Sequence, residues 1–229
     1  MSNLPLELRA NPTAWDELLQ KALPALDFVF GPSPLQASPP SWTLGGGTAL
    51  ALRIFHRLSD DIDIFTAAAP LRAFTPARNP AAKAISERFQ WLGHYLKFAC
   101  ESGEIDFLSS HLQTTPGFTA ERYRDREIAL ETAPEVIVKK VRYRSGSFTP
   151  RDIFDLAAAG RGEPGLARTL SLETPDALDR LKAVIEARRA RGPQLAPEVR
   201  PTNDFTDLLG SAYEEALQII DAALRLAER

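Results

Sequence analysis

A glycine triplet constrains this chain more than any other feature. In "WTLGGGTALALRIFHRLSDDIDIF", residues 42–65, a short apolar run enters Gly45-Gly46-Gly47, a helix-like segment follows, and Asp60, Asp61 and Asp63 fall within four positions. The apolar run reads as a strand entering a tight turn. From Thr48 to Arg57 apolar residues recur at helical period. "DIDIF" alternates polar and apolar with period two, so it predicts a strand with Asp61 and Asp63 on one face. Like charges crowded between apolar residues repel, and burying them is expensive. The crowding needs a cause.

Two carboxylates separated by one strand residue point the same way and can share a divalent cation. Mg²⁺ normally keeps phosphate oxygens among its other ligands. The complementary part is the glycine turn, whose N–H groups, with the helix N-terminus, form an anion site. Gly46, Gly47 and Thr48 are therefore the candidate cradle of a triphosphate, bridged by a metal on Asp61 and Asp63. A second metal needs another carboxylate on a neighbouring strand, and "GEIDFLSS" offers Asp106 between Ile105 and Phe107. Together these parts describe a two-metal phosphoryl-transfer site. A lone Asp-x-Asp is more often a solvated face or a turn. What separates this one is order: strand, Gly46-Gly47, thirteen residues, then Asp61.

The remaining segments read as follows. Residues 12–30 predict a helix opened by Pro12 and Thr13. "GPSPLQASPPS" is a Pro/Ser loop, and "AAAPLRAFTPARNP" is another. "AAKAISERFQWLG" predicts a helix ending near Gly93, "HYLKFACES" and "EIDFLSS" a hairpin about Gly103, and residues 121–132 a single strand. Helices are expected over "PEVIVKKVRYRSG", "TPRDIFDLAAAG", about 175–191 and about 204–228, with "RGPQLAPEVRPTND" as a connector. "TPRD" carries a full start signal: Thr149 as N-cap, Pro150 at the first position, Asp152 closing a capping box. The last helix has a clear apolar stripe, Leu208 to Leu224, simplest as core packing. The expected fold class is α/β (α+β), with an α/β part at 1–132 and a helical part at 133–229.

Composition narrows the partners. The net charge of −3 gives no global attraction to nucleic acid, so such binding must be local. One cysteine, Cys100, excludes an internal disulfide framework and fits a reducing compartment. With three histidines there is little material for a zinc site. No apolar run approaches the ~20 residues that span a bilayer, and the first residues lack a signal peptide's charged and apolar regions. The expectation is a cytoplasmic protein with no membrane partner.

The spacing of strand, Gly-Gly, helix and acid-apolar-acid resembles the DNA polymerase β-like nucleotidyltransferase superfamily. The fuller string "LGGGTALALRIFHRLSDDIDIF", with "KKVRYRSGSFTPRDIFDLA" at 139–157, is similar to its AbiEii/AbiGii toxin branch. The two blocks and Asp106 cover about residues 42–160. The resemblance implies a minimal nucleotidyltransferase fold: a mixed sheet flanked by helices, with a helical C-terminal half completing the cleft. It implies a metal-dependent enzyme, using Mg²⁺ or Mn²⁺, that moves NMP from an NTP to an acceptor. Toxins of this kind act on the tRNA 3′ end and are neutralised by a cognate antitoxin. NMP transfer to a protein, or nucleotide binding without turnover, are the alternatives. Asp61, Asp63 and Asp106 would be the metal ligands. Lys140, with Lys139 competing, would contact the nucleotide phosphates, and Asp152 and Asp155 match the aspartates of the second block. Gly47 stands where the wider superfamily often has Ser, so a phosphate-binding hydroxyl would come from Thr48.

Within the second block Lys140 and Arg144 lie one helical turn apart, where their charges could meet a triphosphate. Asp152 already has a use as a capping acid, whereas Asp155, between Phe154 and Leu156, needs a buried partner. Asp155 is therefore the expected orienting partner of Lys140. His56 and Arg57 fall at the end of the first block's helix, where cations favour the dipole; His56 reads as structural, and Arg57 is in chain reach of the carboxylates. Eight Lys/Arg between 122 and 151, interleaved with Tyr123 and Tyr143, form a local basic enrichment suited to RNA phosphates or to an acidic antitoxin.

Overall fold

The computed structural model describes residues 4–9, 11, 13–192, 195 and 198–228. Pro12, expected to open the first helix, and part of the connector near 191–204 lie outside them. The chain forms two compact units. Met1–Arg53, Ser59–Leu112 and Phe118–Glu131 make the first; Ile54–Leu58, Gln113–Gly117 and Thr132–Arg229 make the second.

The first unit holds the sheet. Its strands are β1 (Thr43–Gly45), β2 (Ile62–Thr66), β3 (Phe89–Trp91), β4 (Tyr95–Ala99), β5 (Glu104–Ser109), β6 (Phe118–Tyr123) and β7 (Arg126–Glu131). Their order is β3-β4-β5-β2-β1-β7-β6, with β2/β5 and β1/β7 parallel and the other pairs antiparallel. The sheet is thus mixed, as expected. Period-two alternation sets its faces: Ile62, Ile64, Leu96, Phe98, Ile105 and Phe107 are wholly buried, and the residues between them are not. Helix α1 (Trp15–Phe30) packs on β2 and β5, burying Leu18, Leu19, Ala22 and Leu26. Each fully buried Leu or Phe contributes roughly 1.5–3 kcal/mol.

Helix α2 (Gly46–Ile54) follows β1 without a loop. It is shorter than the expected 48–57 because Phe55 takes a left-handed φ of +48°, which ends a helix.

Two other expectations in this unit fail. Residues 81–93 are not a helix but a 3-10 turn, Pro80–Ala84, followed by β3. Asn79 caps that turn through Ala81 and Ala82 N–H, and Ala99 N–H then bonds Arg88 O, drawing the chain alongside β4. Residues 121–132 are not one strand but the β6/β7 hairpin, turned at Arg124, whose φ is +50°. Its N–H is held by the Glu7 carboxylate, a partner remote in sequence.

The second unit is helical: α3 (Ala133–Arg144), α4 (Pro150–Gly162), α5 (Leu166–Glu173), α6 (Pro175–Ala190) and α7 (Leu208–Ala227). No residue pattern marked α5 as a separate helix. The capping box at α4 is formed, with Thr149 and Asp152 bonding each other's backbone N–H groups. α7 packs against α4, α5 and α6, burying Leu208, Ala212, Tyr213, Ala216, Leu217, Ile220 and Ala223 at three- and four-residue intervals. The short segment 54–58 belongs to this unit. Leu58 N–H bonds Arg200 O, and Thr202 N–H bonds His56 O. No helix among the described residues is long and apolar enough to cross a membrane.

Candidate active site

The first unit places the glycine turn and two of the three aspartates in one row. Gly45 is in register with Asp63, Asp63 with Asp106, and Asp106 with Lys97, across β1, β2, β5 and β4. Strand neighbours are about 4.8 Å apart, so the Asp63 and Asp106 side chains rise side by side from the face opposite the one that packs on α1. Burial pushes the Asp106 carboxyl up to about 7, with the Asp63 charge adding to the rise and Lys97 opposing it. Its Oδ1 is buried with no hydrogen-bond partner.

The glycines are there for room. A Cβ on Gly46, whose φ is +64°, would lie 1.8 Å from Asp63 Oδ2. One on Gly45 would lie 2.4 Å from Glu131 Oε2 and 2.6 Å from Phe65. The carboxylate therefore rests directly on the turn that opens α2, where first-turn N–H groups lack intrahelical acceptors. Thr48 is wholly buried, and its hydroxyl donates to Asp61 O, tying α2 to the chain entering β2. Asp61 itself precedes β2, and its Oδ1 accepts from Glu104 N–H at 2.9 Å.

Gly46→Ala combines left-handed strain of about 1–2 kcal/mol with displacement of the Asp63 carboxylate. We expect a modestly lowered melting temperature and a disproportionate loss of nucleotidyl transfer. Full transfer in that variant would mean that Asp63 is not used where it stands.

These donors are of the kind a divalent cation takes. Among the described residues no three His, Cys, Asp or Glu side chains already surround one point. The chemistry nevertheless fits: hard oxygen donors in register, like charges pressed together, and one buried oxygen without a partner.

Sequence reasoning missed two neighbours. Lys97 lies 3.4 Å from Asp106 and also pairs with Glu104. Alternation with buried Leu96 and Phe98 puts it on the face away from them, but its register with Asp106 was not legible. Glu131, wholly buried beside Gly45, accepts from Thr43 Oγ1 at 2.6 Å. As the last residue of β7 it gave no signal.

The second unit gathers the remaining expected residues around Asp155. This carboxylate is wholly buried and takes Arg57 Nε at 2.6 Å and Nη2 at 2.9 Å, His56 Nε2 at 2.7 Å and Lys140 Nζ at 3.0 Å. Lys140 also meets Asp152 at 2.5 Å, and Arg144, half exposed, stands 3.7 Å from Asp152. Lys139 pairs instead with buried Glu135 at 3.2 Å, which accepts from the Gln113 and Thr114 N–H groups. Arg57 thus grips Asp155, a different carboxylate from the cluster expected for it.

Burial alone would raise the Asp155 pKa. The Arg57 and Lys140 charges and the His56 bond override it and hold it well below the ordinary 3.8. Burial lowers the His56 pKa below 6.5, against the pull of Asp155. Its Nδ1 is buried without a partner, which suits the neutral ring donating from Nε2. Both lowered values have the same sign in linkage. The His56 contribution is complete above about pH 6.5 and declines as pH falls toward the lower folded value. The Asp155 contribution is complete above about 3.9 and is lost below it. The Asp106 carboxyl, raised to about 7, adds stability over the same fall in pH, so the readout is a difference: from pH 7 to 5 we expect the urea midpoint of the parent to fall relative to that of His56→Gln. A constant difference between the two would show that His56 is not the group responsible.

The basic enrichment between 122 and 151 is largely consumed within the protein. Arg124 pairs with Asp16, Arg126 with Asp27, and Lys139, Lys140 and Arg144 as above. Arg122, Arg142 and Arg151 donate to backbone carbonyls of Arg124, Glu173 and Glu198. Tyr123 is buried.

A mixed sheet with in-register carboxylates beside a glycine turn that opens a helix puts the chain in the nucleotidyltransferase class of transferases. The chain belongs to the family described as the nucleotidyl transferase AbiEii toxin of type IV toxin–antitoxin systems, whose profile matches residues 27–225. Among solved structures it is similar to a candidate nucleotidyltransferase from H. pylori, with 15% identity, TM-score 0.49, and 93% of this chain and 94% of that one covered. It is also similar to JHP933 from Helicobacter pylori, with 15% identity, TM-score 0.48, and coverage of 93% and 91%. No curated protein matches the chain.

Proposed function

We propose that this chain transfers NMP from an NTP to the 3′ end of tRNA, acting in the cytoplasm as the toxin of a pair whose other member is a cognate antitoxin. The observation that supports this most is the register of Asp63 with Asp106 beside Gly46, with an unpartnered oxygen on Asp106. In the reaction an acceptor hydroxyl oxygen forms a bond to the α-phosphorus, the bridging oxygen to the β-phosphorus leaves with pyrophosphate, and the hydroxyl proton is released. Asp61, Asp63 and Asp106 would hold Mg²⁺ or Mn²⁺. Such an ion, when bound, neutralises phosphate oxygens and acidifies the attacking hydroxyl. The backbone N–H groups of Gly46 to Thr48 receive phosphate oxygens, and Thr48 fixes the turn against Asp61. Lys140, for which the family resemblance implies a phosphate contact, is held within the helical unit by Asp155 and Asp152.

The test is incubation with Mg²⁺, each α-labelled NTP in turn, and total tRNA plus cell lysate, beside an Asp61→Asn, Asp63→Asn variant. Label in the tRNA band, absent from the variant, is the expected result and names the base. Label in a protein band would replace tRNA by a protein acceptor. No label with any NTP would overturn the transferase reading.

A further inference from the structure

We propose that the β3 edge of the sheet is the surface that receives a single-stranded RNA end; this rests on the transfer reading above. Between residues 67 and 99 five Lys/Arg face a single acid, Glu87. Arg72, Arg78, Lys83 and Arg88 are exposed, and none enters an ion pair among the described residues, in contrast to the 122–151 cations. β3 ends the sheet, and there Phe89 is 42% and Trp91 48% exposed. An open strand edge bearing two aromatic rings is ordinarily a liability that proteins cover or charge. Here it is left open, with Arg88 directly before it and Arg72 on a turn packed against β4 and β5. That combination matches a phosphate chain whose bases stack on rings, the recognition mode of single-stranded nucleic acid.

The edge is also continuous with the carboxylates. Gln90 is in register with Lys97, and Lys97 with Asp106, so β3 lies about two strand spacings, ~10 Å, from β5. Gln90 shares the face of Asp106, while Phe89 and Trp91 are in register with core-facing Phe98 and Leu96. An RNA strand would leave the carboxylate face over Gln90 and turn across the edge onto the rings. The 3-10 turn Leu71–Phe74, bearing Arg72, packs on β4 and β5, which brings positive charge to the same side.

Trp91 offers a direct readout, because Trp15 and Trp42 are buried. A short fluorescein-labelled single-stranded RNA, titrated without Mg²⁺, is expected to quench Trp91 and gain anisotropy. Trp91→Ala and Phe89→Ala should each weaken binding roughly tenfold, with Trp91→Phe retaining most of it. Replacing Arg72, Arg78, Lys83 and Arg88 together by Ala should make the salt slope of log K shallower by about 0.7 per cation. Asp63→Asn should bind RNA like the parent while failing to transfer, which separates the two claims. Parent-like affinity and slope in the edge variants would overturn this surface and leave the transfer reading standing. If RNA leaves Trp91 fluorescence unchanged while poly-glutamate quenches it, the edge docks an acidic protein and the proposal falls. Circular-dichroism melts of each variant confirm that the sheet is intact.

Discussion

Asp155→Ala is expected to lower the stability of the helical unit by about 3–5 kcal/mol, the range for removing one member of a buried ion pair. Against a typical total of about 5–15 kcal/mol, that is a large fraction of the margin. The reason is what remains. Arg57 is 6% exposed, and Lys140 would keep only Asp152 as a counter-ion. Each was placed in the interior by a carboxylate that satisfies three side chains at once. Asp155→Asn should lose less, because the shape is kept and one oxygen still accepts. Urea unfolding followed by circular dichroism measures both. A parent-like midpoint for Asp155→Ala would mean that the network adds nothing to stability and that Asp155 must be explained by chemistry alone.

Asp63→Asn is expected to do the opposite. Nucleotidyl transfer should fall by roughly a thousandfold, the scale for losing a preorganised charge-stabilising group, while the melting temperature holds or rises. Asp63 raises the proton affinity of Asp106, so neutralising it relieves a repulsion that folding otherwise tolerates. A carboxylate that repels its neighbour and sits on a glycine turn shaped around it is best explained by use. Loss of transfer with equal loss of stability would instead make Asp63 a structural residue.

Much of this organisation was legible in sequence because it is local. The glycine turn, the helix behind it, the strand bearing Asp63 and the capping box at Thr149 depend on residues within a turn or two of each other. The failures share the opposite property. Phe89 and Trp91 became an edge strand because Ala99 bonds Arg88 O. The turn at Arg124 is held by Glu7. Arg124 and Arg126 read as part of a surface patch because their carboxylate partners, Asp16 and Asp27, are about a hundred residues away.

By itself, then, the sequence determined the family, the mixed α/β (α+β) fold class, and the acids and glycines proposed to carry the chemistry. It did so because backbone geometry and period fix which side chains share a face. Only the tertiary structure decided which charges are already spent. Register set Asp106 against Asp63 and Lys97, and helix packing closed Arg57, His56 and Lys140 around Asp155. A buried charge takes its partner from whatever the fold brings within hydrogen-bond reach, and that distance is not written along the chain.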